Sequence, residues 1–372
     1  MILKRLSLIN FKNIDSVTLD FADGINAFVG DNGTGKTNIL DGVYYLSMCK
    51  SMLSLSDGQN VKHGTDFFML DGAYSTPRGR SESVVCSFSK QRTHTKTLKR
   101  NGKEYERLSD HVGLIPVVVV TPQDSALISQ AADERRKFLN GFISQVDSNY
   151  LSSLIKYNAL IIQRNKILKQ GGDEVMLAIY DEQLAPHAEY IYNCRQGMIE
   201  KLAPLVDWFY STLSGDREKV CLEYNSKMSE ASYLELMAAA RQRDIVNEHT
   251  TVGIHRDDLV FTIGGYPLRK YGSQGQQKSF LIALKLAQYI LLGDIVSQTP
   301  ILLLDDLFDK LDAGRVEQLI HLVSGEKFGQ IFITDCNRTR LQRILNQMNT
   351  PYRLFEVAEG ITQQETQQEP QL

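Results

Sequence analysis

Gly30-Asp31-Asn32-Gly33-Thr34-Gly35-Lys36-Thr37 is the stretch on which the architecture turns. It satisfies G-x-x-x-x-G-K-[ST] in full, between a short apolar run at Ile25–Val29 and helically spaced Ile39, Leu40, Val43 and Leu46. Strand, glycine-rich loop and helix in that order make a phosphate cradle. The glycines let backbone N–H groups close around phosphate oxygens, and the helix start adds partial positive charge. Lys36 is placed to reach the β- and γ-phosphates, and the Thr37 hydroxyl to ligate Mg²⁺. ATP and Mg²⁺ are therefore the expected ligands of Gly30, Asp31, Asn32, Gly33, Thr34, Gly35, Lys36 and Thr37.

The matching half lies far downstream. Ile301-Leu302-Leu303-Leu304 reads as a buried strand ending in Asp305-Asp306. A carboxylate at the end of a parallel strand beside such a loop holds Mg²⁺, which is the role expected of Asp305. Asp306 is the candidate to polarise an attacking water. Lys36 and Asp305 stand 269 positions apart, so something large is inserted between the two halves.

The 372 residues suffice for two or three domain-sized units. Apolar residues make up 42% and charged ones 23%, an ordinary globular balance that excludes a fibrous or mainly disordered chain. The formal net charge is −3, so any nucleic-acid surface must be a local patch. Five scattered cysteines without a CxxC pair argue against a disulfide framework or structural zinc and point to a reducing cytoplasm. The apolar runs near Pro116–Val120 and Ile301–Leu304 are too short to cross a bilayer, so no membrane association is expected.

Alternation predicts strands in the first thirty residues and again from Phe67 to Val120, with a helix over Thr37–Cys49 between them. From 133 to about 213 the apolar spacing turns helical, with Gly171–Gly172 as a turn between long helices. Strands follow near Val220–Tyr224 and Leu259–Ile263, the second entering a Gly264–Gly265 hairpin, with a helix near Ser232–Arg243. Further helices are expected over Gln277–Leu292 and Arg315–Val323, and a strand over Gln330–Ile333. The Gln- and Glu-rich end reads as disordered. The expected organisation is an N-terminal ATPase part (1–122), a mainly helical lobe (123–248), a C-terminal ATPase part (249–358) and a disordered tail (359–372).

Tyr271-Gly272-Ser273-Gln274-Gly275-Gln276-Gln277-Lys278 stands directly before a predicted helix. By itself this is a capped helix start. A second anion-binding helix start beside a complete phosphate loop makes sense if each serves a different copy. In a head-to-tail dimer, Ser273 would cap the γ-phosphate held by the other copy's loop.

These stretches, with Leu6-x-x-x-Asn10-Phe11-Lys12-Asn13, Thr121-Pro122-Gln123, Arg135–Leu139, Gly253–Asp258 and L-L-L-D-D-x-F-x-x-L-D, resemble the RecF family of bacterial DNA replication and repair proteins. That family belongs to the ABC-type head ATPases related to Rad50 and SMC proteins. The resemblance runs in order from residue 6 to 312. It implies an α/β fold: an ABC-type P-loop ATPase head with an inserted helical lobe and no long coiled coil. It also implies roles. Gln123 would sense the γ-phosphate and Asp305 and Asp306 would serve Mg²⁺ and water. Ser273, Gly275 and Gln276 would act in trans, Asp312 would link the two sites, and Lys12 and Asn13 would lie near the nucleotide. The family pattern further implies an ATP-dependent homodimer that binds single-stranded and duplex DNA or their junctions without sequence specificity. Partnership with recombination mediator proteins, recombinase loading and SOS induction follow from the same resemblance.

Two departures bear on rate. Asp306 stands where most ABC ATPases carry Glu, and its shorter arm predicts slow hydrolysis; the resemblance implies a weak DNA-stimulated ATPase acting as a switch. Thr334-Asp335-Cys336 carries no switch histidine. For DNA, seven basic residues against two acidic ones between Lys90 and Arg107 form one candidate patch: Lys90, Arg92, Lys96, Lys99, Arg100, Lys103 and Arg107. Arg135, Arg136, Lys137, Arg164, Lys166 and Lys169 form another. His255 with Asp257–Asp258 reads as a polar turn rather than a metal site. The alternative function is a nuclease-coupled ATPase of the overcoming-lysogenization type, which would need a carboxylate-rich C-terminal domain.

Overall fold

A computed structural model describes the chain except residues 54–55, 77, 92–95, 216–217, 308–312, 326, 348–350, 359–360 and 369–372. Strands β1 (Ile2–Phe11), β2 (Ile14–Asp20) and β3 (Ile25–Val29) precede helix α1 (Lys36–Met48). Then come β4 (Phe67–Ser75), β5 (Ser81–Ser89), β6 (Lys96–Arg100), β7 (Lys103–Glu104) and β8 (Val117–Val120). Helices α2 (Ala126–Ser129), α3 (Ala132–Val146), α4 (Ser148–Lys169) and α5 (Glu174–Ser214) lead to β9 (Val220–Asn225) and α6 (Tyr233–Asn247). The remainder is β10 (Asp258–Ile263), β11 (Tyr266–Pro267), α7 (Leu268–Tyr271), α8 (Gln274–Val296), β12 (Ile301–Leu304), α9 (Ala313–Val323), β13 (Ile331–Asp335), α10 (Arg338–Gln347), β14 (Tyr352–Ala358) and β15 (Ile361–Gln368).

The chain divides into two compact units, Met1–Asp124 with Gln288–Leu372, and Ser125–Ala287. The first unit holds two six-stranded sheets. One is antiparallel, in the order β2-β1-β4-β5-β6-β7. The other has the order β15-β14-β3-β13-β12-β8, and its inner strands run parallel. Its β3, β12 and β13 are buried at every position, which is why they read as continuous apolar runs. Phe21, Phe28, Phe332 and Phe355 meet beneath them, Phe28 stacked on Phe355 with centroids 5.0 Å apart and Phe21 edge-on to Phe332 at 4.9 Å.

The second unit packs α3 to α6 with an antiparallel sheet of order β11-β10-β9. Gly171 and Gly172 make the turn between α4 and α5 with φ of 105° and 71°. Helix α5 runs 41 residues straight through Pro186 and Pro204. The helical lobe was expected to end at 248. It continues to 287, because β10 pairs along its length with β9 and keeps the 249–287 segment in this unit.

The tail expected to be disordered contains β15, an antiparallel partner of β14 from Ile361↔Ala358 to Gln368↔Tyr352. Polar composition argued against a core, but pairing on an open strand edge needs only backbone groups. Helix α8 has an 18-residue window of mean hydropathy 1.6, enough by length and composition to cross a membrane, but 72% of that window is buried within the protein. It is a core helix.

Candidate nucleotide site

The loop after β3 is shaped by what lies beside it. A Cβ on Gly30 would stand 2.2 Å from the Val357 carbonyl oxygen of β14, so only glycine fits. Gly33 and Gly35 hold φ of 87° and 112°, and Gly35 caps α1. The loop is internally satisfied. Lys36 Nζ donates to the carbonyls of Gly30 (2.7 Å) and Asp31 (2.9 Å), and Thr34 Oγ1 donates to Asp31 O at 2.9 Å. Asn13 braces its flank, donating to Thr34 O at 3.4 Å and accepting from Asn38 Nδ2 at 2.7 Å. Asp31, Asn32 and Gly33 are exposed at the loop crest.

Lys12 is placed differently from the expectation. Its ammonium lies 2.5 Å from Asp41 Oδ2 on α1, with both side chains buried. Asp41 also accepts from Ser51 Oγ (2.7 Å) and Met52 N (2.6 Å). The cation is committed to a carboxylate that is out of the solvent, and Lys12 anchors β1 to α1. Asn13 alone of this pair touches the loop.

Asp305 is brought to the loop by the parallel sheet. Its N–H donates to Val120 O of β8 at 2.9 Å. Thr37 Oγ1 donates to its carboxylate at 2.9 and 3.1 Å, and Thr334 Oγ1, from β13, donates at 2.9 Å. Burial shifts the Asp305 carboxyl upward, and the hydroxyls of Thr334 and Thr37 pull it back down. Thr334 Oγ1 also accepts the Asp306 N–H at 2.9 Å, fixing the backbone of Asp306 at φ 43°. One hydroxyl thus contacts the Asp305 carboxylate and the Asp306 backbone together. The sequence reading gives Thr334 no role, and a threonine near the end of a central parallel strand is the signal that could have found it.

A hydroxyl and a buried carboxylate sharing one spot beside a lysine and a glycine loop are hard oxygen donors suited to Mg²⁺ with a nucleotide phosphate. Thr37 and Asp305 are the residues that would hold it. Gln123 follows β8 by three residues, past the same end of the parallel pair β8–β12 as Asp305, in a turn closed by Thr121 N donating to Asp124 Oδ2 at 2.7 Å. Asp312 lies outside the described residues.

The second helix start belongs to the other unit. Ser273 N donates to Gln276 Oε1 at 2.6 Å while Gln276 N donates to Ser273 Oγ at 3.3 Å, a reciprocal cap at the start of α8. Gln276 Nε2 donates to Glu218 at 2.6 Å, and Ser273 is exposed. Gly275 lies within the first turn.

The family described as RecF/RecN/SMC N terminal domain matches residues 2–363. The DNA replication and repair protein RecF of Bacteroides fragilis is 47% identical over 362 residues, 97% of each chain. The chain belongs to the RecF family. RecF of Flavobacterium johnsoniae is 43% identical over 360 residues, 95% of this chain and 99% of its own. Among solved structures, the recombination mediator protein RecF with ATP, described in the RecFOR pathway, superposes with a TM-score of 0.88 at 28% identity over 98% of both chains. An SMC head bound to the C-terminal winged-helix domain of ScpA matches at TM-score 0.58 and 14% identity, which shows the fold alone. The RecF-family chain is thus an ABC-type ATPase head without a long coiled coil.

Several members of both expected DNA patches are engaged within the protein. Lys96 turns inward onto Asp57 (3.1 Å), the Cys49 carbonyl and the Tyr45 ring, 4.6 Å from its centroid. Arg100 grips Glu82 with two bonds of 2.6 and 2.8 Å. Arg92 lies outside the described residues. In the helical unit Arg164 is fully buried between Asp181 (2.7 Å) and Asp244 (2.8 Å). Arg135 clasps Asp258, Arg136 pairs with Asp133, and Lys137 pairs with Glu134 at 2.7 Å. Lys166 and Lys169 alone of that group remain exposed without an ion-pair partner among the described residues. His255 sits in a polar turn: Tyr157 OH lies 2.8 Å from Nδ1 and the Thr250 carbonyl 3.2 Å from Nε2.

Proposed function

We propose that this RecF-family chain is an ATP-binding protein of DNA replication and repair, switching between monomer and dimer with nucleotide. The convergence of Lys36, Thr37, Asp305 and Thr334 carries the reading. When bound, Mg²⁺ would supply charge neutralisation for the β- and γ-phosphates. Lys36 would exchange its two loop carbonyls for phosphate oxygens, Thr37 and Asp305 would fix the cation, and Gln123 and Asp306 would orient water. Ser273, Gly275 and Gln276 would present the capped start of α8 to the γ-phosphate held by a second copy, with Asp312 coupling the sites. Hydrolysis is slow on this reading, well below a typical turnover of ~10 s⁻¹, because the Asp306 carboxylate is one methylene shorter than a glutamate.

The dimer would hold single-stranded and duplex DNA or their junctions through phosphate contacts, in the cytoplasm, alongside recombination mediator proteins, and so support recombinase loading and SOS induction. Analytical ultracentrifugation without nucleotide, with ADP and with ATP tests the switch. Dimer is expected with ATP alone. Lys36→Met should lose nucleotide affinity, and Ser273→Arg should bind ATP yet stay monomeric. Normal ATP-driven dimerisation of Ser273→Arg would refute the composite site.

A further inference from the structure

The antiparallel sheet of the first unit has two ends. One carries Phe11 to Asn13 and braces the nucleotide loop. At the other, ten residues of β1 away or about 30 Å, the β4–β5 hairpin projects Arg78-Gly79-Arg80. The hairpin is tight: Thr76 N donates to Arg80 O and Gly79 N to Thr76 O, both at 2.9 Å, with Gly79 at φ 71°. Beside it lies a cleft of about 410 Å³ whose lining includes Met1, Arg78, Arg80, Glu82, Arg100 and Gln298. Gln298 precedes β12, so the cleft lies at the end of that strand opposite Asp305. It cannot be the nucleotide site.

Its charge is one-sided. Three arginines face one glutamate, and Arg100 neutralises that glutamate and holds its carboxyl below the ordinary range. Arg78 and Arg80 are exposed and have no ion-pair partner among the described residues. The adjacent β6–β7 hairpin, turning at Asn101–Gly102, adds exposed Lys103, and it is tied to β5 by Asn101 N donating to Ser83 O and Ser83 N donating to Asn101 Oδ1, each 2.9 Å. The cations therefore form a row across neighbouring strands. From β5 to β7 is about 10 Å at the usual strand spacing, the rise of about three phosphates along one DNA strand.

The geometry points to this cleft as a docking site for the phosphate backbone of duplex DNA. Free guanidinium forks match phosphate oxygens in pairs, and cations carried on two neighbouring hairpins match a regular polyanion better than an irregular acidic peptide. The assignment rests on the DNA-binding reading above and gives that reading a surface that takes up Arg100 and Lys103 of the first expected patch and adds Arg78 and Arg80.

The test uses the full chain with ATP and Mg²⁺ and a fluorescein-labelled duplex, titrated by anisotropy between about 50 and 200 mM salt. Arg78→Ala with Arg80→Ala should weaken binding to all sequences alike and flatten the log–log salt slope by about 1.8, at roughly 0.9 per phosphate contact. Arg78→Lys with Arg80→Lys should keep most of the slope, since charge is retained. ATP-driven dimerisation in the ultracentrifuge should be that of wild type in both. Binding by wild type with an unmoved slope in the double alanine variant would overturn the cleft alone. Failure of wild type to bind DNA at any salt would overturn the functional reading and the cleft together. Poly-L-glutamate bound as tightly as DNA of equal charge would overturn the phosphate assignment.

Discussion

Replacing Thr334 by valine would remove one hydroxyl and almost no volume, taking a donor from the Asp305 carboxylate and an acceptor from the Asp306 N–H at once. Thr334 is fully buried, and its Oγ1 stands 2.9 Å from both Asp305 Oδ1 and Asp306 N. A hydrogen bond to a charged group is worth about 1.5–3 kcal/mol, so the ionised form of Asp305 would lose stabilisation of that order. Thr37 would remain as a donor. Burial already raises the Asp305 carboxyl, and Thr334 is the foremost influence opposing it, so the variant's carboxyl shifts further up. Protons then compete better with Mg²⁺. Turnover should need roughly 10- to 100-fold more Mg²⁺ at neutral pH, by the energy above at 1.36 kcal/mol per decade, and the acid limb of its pH profile should move to higher pH. Mg²⁺ titrations of steady-state ATP hydrolysis at several pH values measure both, with Thr334→Ser as the rescuing variant. An unmoved acid limb and unchanged Mg²⁺ dependence in Thr334→Val would refute the claim that this hydroxyl tunes the Asp305 carboxylate.

Gly30→Ala should cut ATP affinity sharply while leaving the fold intact by circular dichroism, because the new methyl would meet the Val357 carbonyl at 2.2 Å and push the loop away from β14. Arg164→Met should cost about 3–5 kcal/mol in urea denaturation, since it strands the Asp181 and Asp244 carboxylates in the interior, and it should leave the DNA salt slope untouched. Burial lowers His255 to about 4. The fold therefore favours its neutral form, and the stability this gives is present above the unfolded value near 6.5 and lost as pH falls toward 4, about 3 kcal/mol in all at 1.36 per unit. Urea midpoints of wild type and His255→Gln between those pH values should converge as pH falls, and parallel curves would sink the assignment.

What the sequence disclosed was whatever chemistry is local. The glycine loop, the apolar strand before Asp305 and the Ser273 helix start each carry their meaning within eight residues, and the structure brings the first two together through Thr37. Partners of charged groups were not local. Lys96 finds Asp57 at a separation of 39, and Arg164 finds Asp244 at 80, so a count of basic residues could not tell an inward cation from a free one. Lys12 misled for the same reason, its carboxylate lying on the next helix. Arg78 and Arg80 were passed over because a turn with two arginines is unremarkable until the neighbouring hairpin is seen beside it. The helical reading from 133 to about 213 runs past two prolines, and α5 indeed contains both Pro186 and Pro204, with Leu184, Ala185, Ala188, Leu202 and Val206 buried around them. Packing along the helix outweighs the backbone bonds each proline removes.

The placement of β3 between β13 and β14 also sets a clock on the ribosome. Ile25–Val29 is synthesised early, but its two neighbours begin at Ile331 and Tyr352. At ordinary elongation rates of about 5–20 residues per second, roughly 300 intervening residues take about 15–60 s to appear. The helical unit, complete at Ala287, can condense while this apolar strand still waits with both edges open. A chain stalled or clipped before Ala358 would carry every residue of the glycine loop and yet lack the strand that shapes it. Nucleotide binding is thereby tied to completion of synthesis.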